Sequence, residues 1–210
     1  DALKPFTSHT IPGKIHFSDY DYGKLNKAYY DESYGNYALS TGSYEAWNAG
    51  WAYRNDGVDI GTNTDGQGNG LHIGYVRKGE WINYTVNIEE TANYTAKVRV
   101  AAPLAGGRFH FGIDGEDVTP VQLVNNTGGW ALFKTMEIDN ILLEQGSHVL
   151  TLFIDGEQEF NIANVEFENK GSIDDQPLVA LNGKTLDPTA SIAVYLNQNI
   201  LASSLANTTE

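Results

Sequence analysis

Gly74-Tyr75-Val76-Arg77-Lys78-Gly79-Glu80-Trp81-Ile82-Asn83-Tyr84-Thr85-Val86-Asn87-Ile88 is the stretch from which the fold follows. From Ile82 the side chains alternate. Ile82, Tyr84, Val86 and Ile88 share one side of a period-two strand, and Trp81, Asn83, Thr85 and Asn87 share the other, so one face is buried and one is wet. Arg77-Lys78-Gly79-Glu80 is a polar, glycine-containing turn of the kind that joins antiparallel neighbours, which predicts Tyr75 at the end of the preceding strand. An aromatic there is either a rim residue of the core or a ligand contact, and this stretch alone leaves both open.

Outward from this strand the same pattern recurs. Lys14–Tyr20 reads as an opening strand, Val58 and Ile60 mark a short one, and Leu71–Val76 leads into the turn. Tyr94, Ala96, Val98 and Val100 alternate with Thr95, Lys97 and Arg99; Phe109, Phe111 and Ile113 do likewise and end at Asp114-Gly115, a strong hairpin signal. Val118–Val124 returns, Asn125–Gly129 is a turn, and Trp130 opens a strand running through Ile138, which repeats the placing of Tyr75. His148–Ile154 and Phe160–Phe167 are the last two strands, with Asn161 emerging from the turn Asp155–Glu159 between them. Many short strands without intervening helices specify an all-β fold, an antiparallel β-sandwich of jelly-roll type.

The sandwich is expected to span residues 1–170. Gly171–Pro177 reads as a linker, and residues 178–210 form an extension too short to fold alone, either docked strands or the start of a truncated following domain. Asp21–Asn55 is crowded with tyrosine and tryptophan among glycine, asparagine and serine, with no sustained period. It is expected to be a long, packed and functional loop.

Composition narrows the function. The 210 residues include no cysteine, which removes disulfides, thiolate metal sites and cysteine nucleophiles. A net charge of −14 argues against nucleic acid or an anionic membrane surface, both of which need a basic face. No apolar run approaches the roughly 20 residues of a membrane span. The opening Asp1-Ala2-Leu3-Lys4-Pro5 is unlike a signal peptide, so an exported protein is expected to have lost its leader already.

The catalytic motifs fare poorly. The Gly, Asn and Asp of residues 61–70 lack the register and terminal glutamate of a helix-loop-helix calcium loop, and no helix pattern follows them as a dinucleotide fingerprint requires. Acidic residues are plentiful, yet none form a carboxylate pair in the setting that a glycosidase needs. The five histidines fall in or beside strands or in the leading arm, where structural roles are the commoner reading.

Ordered matches over most of the chain resemble a family 6 carbohydrate-binding module: Ile11–Ile15 with Asp19-Tyr20-Asp21, Ala28–Asp31, Tyr53–Ile60, Gly74-Tyr75 with Gly79–Tyr84, Arg99–Ala101, Thr127–Trp130, Gly146–His148 and Phe160–Ile162. The resemblance implies a non-catalytic sandwich appended to a glycoside hydrolase or related polysaccharide-degrading enzyme, extracellular or on the cell surface, monomeric, with a cleft at the loop end. It implies that Tyr75 and Trp130 wall the cleft and that Asn161 bonds the sugar rim. Two aromatic plates suit the apolar faces of a pyranose, and an amide suits its hydroxyls. Agar-type, β-glucan and xylan chains all fit this pair. Many members also hold a structural calcium, but the matching positions are His16, Ser18 and Ala163, poor hard-cation ligands, so no cofactor is expected with certainty. A second sugar site on the sheet face of some members uses a tryptophan at Trp81 and a glutamate that aligns with Gly112, so here Trp81 is expected to serve packing. The alternatives are a jelly-roll polysaccharide hydrolase or lyase, and a cell-surface adhesive sandwich.

Overall fold

The structure is a computed structural model that describes residues 3–32, 53–54 and 56–171. Most of the aromatic loop, residues 33–52, and the extension 178–210 lie outside the described residues. The described elements, in chain order, are β1 (His9–Ile11), β2 (Gly13–His16), a 3-10 turn (Phe17–Asp19), β3 (Tyr29–Tyr30), β4 (Ile60–Thr62), β5 (Leu71–Ile73), β6 (Trp81–Ile88), β7 (Ala92–Ala101), β8 (Gly107–Ile113), β9 (Glu116–Asp117), β10 (Gln122–Val124), β11 (Lys134–Leu143), β12 (Gly146–Ile154) and β13 (Asn161–Asn169).

They form two sheets. One runs β1-β6-β12-β8-β10, with β3 beside β6 and β9 beside β8; the other runs β11-β7-β13-β5-β4, with β2 beside β13. Apart from the parallel β1–β6 pair, neighbours are antiparallel, the jelly-roll sandwich expected. The strand β6 behaves as its alternation dictates: Ile82, Tyr84, Val86 and Ile88 are buried, and Asn87 is exposed on the opposite face. Between the sheets Phe17 stacks near Phe111 (6.2 Å), Phe109 meets Phe160 (5.9 Å) and Phe111 meets Phe167 (6.2 Å). Each fully buried ring of this kind contributes about 1.5–3 kcal/mol relative to exposure.

Three sequence expectations change. The opening strand stops at His16, because Phe17, Ser18 and Asp19 are all buried, which a strand with alternating faces cannot achieve. The 3-10 turn sends Phe17 into the core, and its carbonyl accepts a bond from the Tyr84 hydroxyl at 2.9 Å. Second, the turn at Arg77–Glu80 joins strands of different sheets, not antiparallel neighbours. Its geometry is held by Glu80, whose Oε2 accepts the Arg77 amide at 2.7 Å. Third, the strand expected from Trp130 begins at Lys134, so Trp130 stands in the loop. The Asp114-Gly115 hairpin is as expected: both residues have positive φ, 52° and 90°, as a type I′ turn requires.

The described ends of the aromatic loop are clamped by Arg54. Its buried guanidinium lies 3.9 Å from the Tyr20 ring centroid and donates to the carbonyls of Tyr20 and Asp21.

Candidate functional site

At one end of the second sheet, four strands meet in a row. Lys134 of β11 pairs with Val100 of β7, Val100 with Ile162 of β13, and Ile162 with Ile73 of β5. Just beyond this row the chain supplies Trp130 before β11, Asn161 at the start of β13, and Tyr75 after β5. All three expected site residues therefore leave the same sheet end.

Asn161 links them. Its Nδ2 donates to the Trp130 carbonyl at 2.8 Å, and its Oδ1 lies against Gly74, where a Cβ would come within 2.8 Å. Gly74 is thus required by close approach to the amide and cannot carry a side chain without displacing it. The amide is buried and commits one N–H to the protein, which leaves its second N–H and its carbonyl oxygen.

Tyr75 and Trp130 are 42% and 46% exposed, against essentially complete burial for the core rings. Large apolar plates left in water at a loop end mark a contact surface. Tyr75 adopts φ 53°, a left-handed conformation unfavourable for a bulky residue, and such strain concentrates at functional positions. The Trp130 loop is pinned along its length. Thr127 donates its amide to the Ala102 carbonyl (2.8 Å) and receives the Ala102 amide on its hydroxyl (2.8 Å); Arg99 reaches the Phe133 carbonyl (3.0 Å). A ring on a loop so held loses little entropy on binding.

His72 lies beneath Gly74 and against Phe133, with ring centroids 5.7 Å apart. Burial pushes its imidazole down to about 4, so it is neutral at physiological pH. Sequence reasoning missed both His72 and the role of Gly74; the Gly immediately before Tyr75 was the available signal.

The other sheet carries a second aromatic row. Tyr30, Trp81, Phe153 and His110 are successive cross-strand partners on β3, β6, β12 and β8. His110 stacks on Phe153 at 4.6 Å, with its ring nitrogens 2.7 Å from Asp155 and 3.0 Å from Asp117. Trp81 and Phe153 border a concavity of about 480 Å³ that also takes in Asn83, Asp114 and Thr151. Trp81, expected to serve packing, is partly buried and borders this concavity. At Gly112 a Cβ would lie 3.1 Å from both the Phe153 ring and the Glu116 carbonyl, so Phe153 fills the space a longer side chain would need.

Of the positions matching the family calcium, His16 pairs across strands with Asn164, the residue after Ala163, and His16 Nδ1 and Asn164 Nδ2 are buried without a partner among the described residues. Both face Gly68, and burial lowers the His16 pKa. Ser18 is engaged by Asp19 and Asn69, and Ala163 offers no side-chain ligand. Neither the imidazole of His16 nor the methyl of Ala163 supplies the oxygen that a hard cation takes. Among the described residues no group of three or more His, Asp or Glu could hold a metal ion.

A sandwich whose sheet end presents exposed aromatics on braced loops has the build of a module that binds ligands. The chain belongs to the carbohydrate binding module family 6, whose sequence model matches residues 45–169. Family 6 modules are non-catalytic and bind carbohydrate. The solved β-1,3-glucan-binding family 6 module of Bacillus halodurans is similar at 21% identity and a TM-score of 0.54, over 77% of this chain and 99% of that one. A Clostridium stercorarium family 6 module solved with cellobiose is similar at 16% identity and 0.54, over 78% of this chain and 98% of that one. These two share the fold. Beta-agarase AgaA of Microbulbifer thermotolerans is 30% identical over 70 residues, which are 33% of this chain and 16% of that enzyme. The chain thus matches only a small part of the agarase's length.

Proposed function

We propose that the chain holds one polysaccharide chain at the loop-end cleft between Tyr75 and Trp130, with Asn161 orienting it, and thereby brings an appended polysaccharide-degrading enzyme to its substrate outside the cell. The observation that carries this reading is the placing of Asn161: one buried amide bonds the Trp130 loop and packs against Gly74, so two exposed plates stand at one braced sheet end. Agar-type, β-1,3-glucan and xylan or cellulose chains are the substrate classes to try, in keeping with the agarase, β-1,3-glucan-binding and cellobiose-bound relatives. The module binds without cleaving and folds without calcium. Calorimetric titration with neoagaro-, laminari-, xylo- and cello-oligosaccharides tests it, with micromolar to millimolar affinity expected for at least one series and none in Trp130→Ala. Reducing ends released from a polymer by the purified chain would overturn the non-catalytic reading.

A second reading places sugar on the sheet face, favoured by the row Tyr30, Trp81, Phe153 and His110 along the 480 Å³ concavity. Phe153 there supplies the flat surface, and Asp114 and Asn83 the polar contacts.

A further inference from the structure

Beside the Trp130 loop lies a pocket of about 240 Å³ that the Tyr75, Trp130 and Asn161 cleft leaves unused. Its floor is Val100 and Met136; its walls are Asn125, Asn126 and Thr127, which precede Trp130, and Lys134, which follows it. Asn161 and Lys134 lie on opposite sides of β7, so the pocket lies along β11, across β7 from Asn161. The row from Ile73 to Lys134 crosses three strand spacings, about 14 Å at roughly 4.8 Å each, a length on which adjoining parts of one oligosaccharide are laid out.

Its polar groups are available. Asn126 uses Oδ1 to accept the Gly128 amide at 2.7 Å, which leaves its Nδ2 to donate. Asn125 and Lys134 are exposed. Lys14, Lys78, Lys97 and Lys170 each pair with a glutamate, whereas Lys134, like Lys4, Lys24 and Lys27, has no ion pair among the described residues; of these four it alone lines the pocket. Nearby Arg99 is spent on Asp65, Thr135 and the Phe133 carbonyl, and so braces the wall without competing for a ligand. A single uncompensated ammonium flanked by amide donors over an apolar floor selects an anionic group carried on a sugar ring.

We propose that this pocket is an additional subsite for an anionic substituent of the polysaccharide, the carboxylate of a uronic acid or a sulfate ester, with Lys134 as its charge partner. The proposal rests on the loop-end cleft being the sugar site. It suits a pocket smaller than the roughly 300–1,000 Å³ of drug-sized sites. It is compatible with the acidic chain, because one close ammonium acts within a screening length of about 8 Å at physiological salt, while distant carboxylates are screened.

The test compares neutral and anionic forms of one backbone by calorimetry at 20 mM and 300 mM NaCl: neoagarotetraose with its 6-sulfate, laminaritetraose with its 6-sulfate, and xylotetraose with its methylglucuronic-acid-substituted form. For the backbone the chain binds, the anionic form is expected to bind about fivefold to tenfold tighter at low salt, with the sulfate and uronate arms telling which group is preferred. Lys134→Ala is expected to bring the anionic-to-neutral ratio to about one, Asn125→Ala to lower it, and Lys170→Ala, at the far end of β13, to leave it unchanged. Neutral binding with no anionic preference, or a preference that survives Lys134→Ala, overturns the subsite alone. Binding that Trp130→Ala does not touch overturns the cleft and the subsite together.

Discussion

The side-chain amide of Asn161 donates to the backbone carbonyl of Trp130 at 2.8 Å, joining the start of β13 to the loop before β11. Removing it therefore does two things, taking away a group that can bond sugar and releasing the loop that presents the ring. Asn161→Ala is expected to weaken oligosaccharide binding at least tenfold, more than a solvent-replaceable hydrogen bond alone would give. Trp130→Ala should abolish detectable binding, since a central aromatic anchor contributes about 2–4 kcal/mol of a total of only about 4–8. A cycle of Asn161→Ala with Trp130→Phe separates the effects. If the two losses simply add, the amide does not act through the ring.

Tyr75 offers a cleaner variant than alanine. At φ 53° a glycine is relaxed, whereas an L side chain costs on the order of 1 kcal/mol. Tyr75→Gly is accordingly expected to lose binding while keeping the melting temperature within about 2 °C of the parent, and Tyr75→Ala to lose both some stability and binding. A Tyr75→Gly protein that is folded and still binds would remove Tyr75 from the cleft.

Alternation in β6, β7, β8 and β12 made the faces of these strands legible, because burial of one side is a local property of the sequence. Which sheet a strand joins is not local, and so the turn before Trp81 read as a hairpin when it is a crossover between sheets. Tyr75, Trp130 and Asn161 came from the resemblance together with their positions at turns. Three features stayed hidden: the commitment of Asn161 to Trp130, the filling of the Gly112 space by Phe153, and the bare charge of Lys134. The first two depend on residues more than 30 positions apart, and the third on which carboxylates the fold brings near, so nothing in their own neighbourhoods marks them.

Calcium should matter little. With His16, Ser18 and Ala163 at the family's ligand positions, adding a chelator is expected to move the melting temperature by less than about 2 °C. A drop beyond about 4 °C, more than about 1 kcal/mol for a chain this size, would mean that backbone carbonyls have taken over the ligand role.

The pH profile has opposing parts. Burial pushes the Glu80 carboxyl up to about 7, with Asp59 and Glu32 adding to the rise against two backbone N–H bonds. Between about 4.5 and 7 the folded Glu80 holds a proton that the unfolded chain has lost, so this group makes stability fall as pH rises. His72, pushed down to about 4 by burial, is neutral when folded while the unfolded imidazole is charged up to about 6.5, so it makes stability rise with pH from about 4 to 6.5. From about 4.5 to 6.5 the two largely cancel. Melting curves of Glu80→Gln should slope upward across that window relative to the parent, and those of His72→Gln downward. Identical slopes in all three proteins would show that neither group is desolvated as described.

The sheet face provides the sharpest discrimination between the two sugar sites. Trp81 pairs across β6 and β12 with Phe153, and Phe153 with His110, so removing the indole opens one side of a stacked row. Because Trp81 is partly buried, Trp81→Ala should cost less than the about 3–5 kcal/mol of a fully buried aromatic such as Phe111, lowering the melting temperature by a few degrees. If the loop-end cleft carries binding, Trp81→Ala retains oligosaccharide affinity while Trp130→Ala does not. If the sheet face carries it, the pattern reverses, and Phe153→Ala follows Trp81→Ala because both rings border the same concavity. Titrating all three folded variants with the oligosaccharide that binds the parent assigns the site by the identity of the variant that fails.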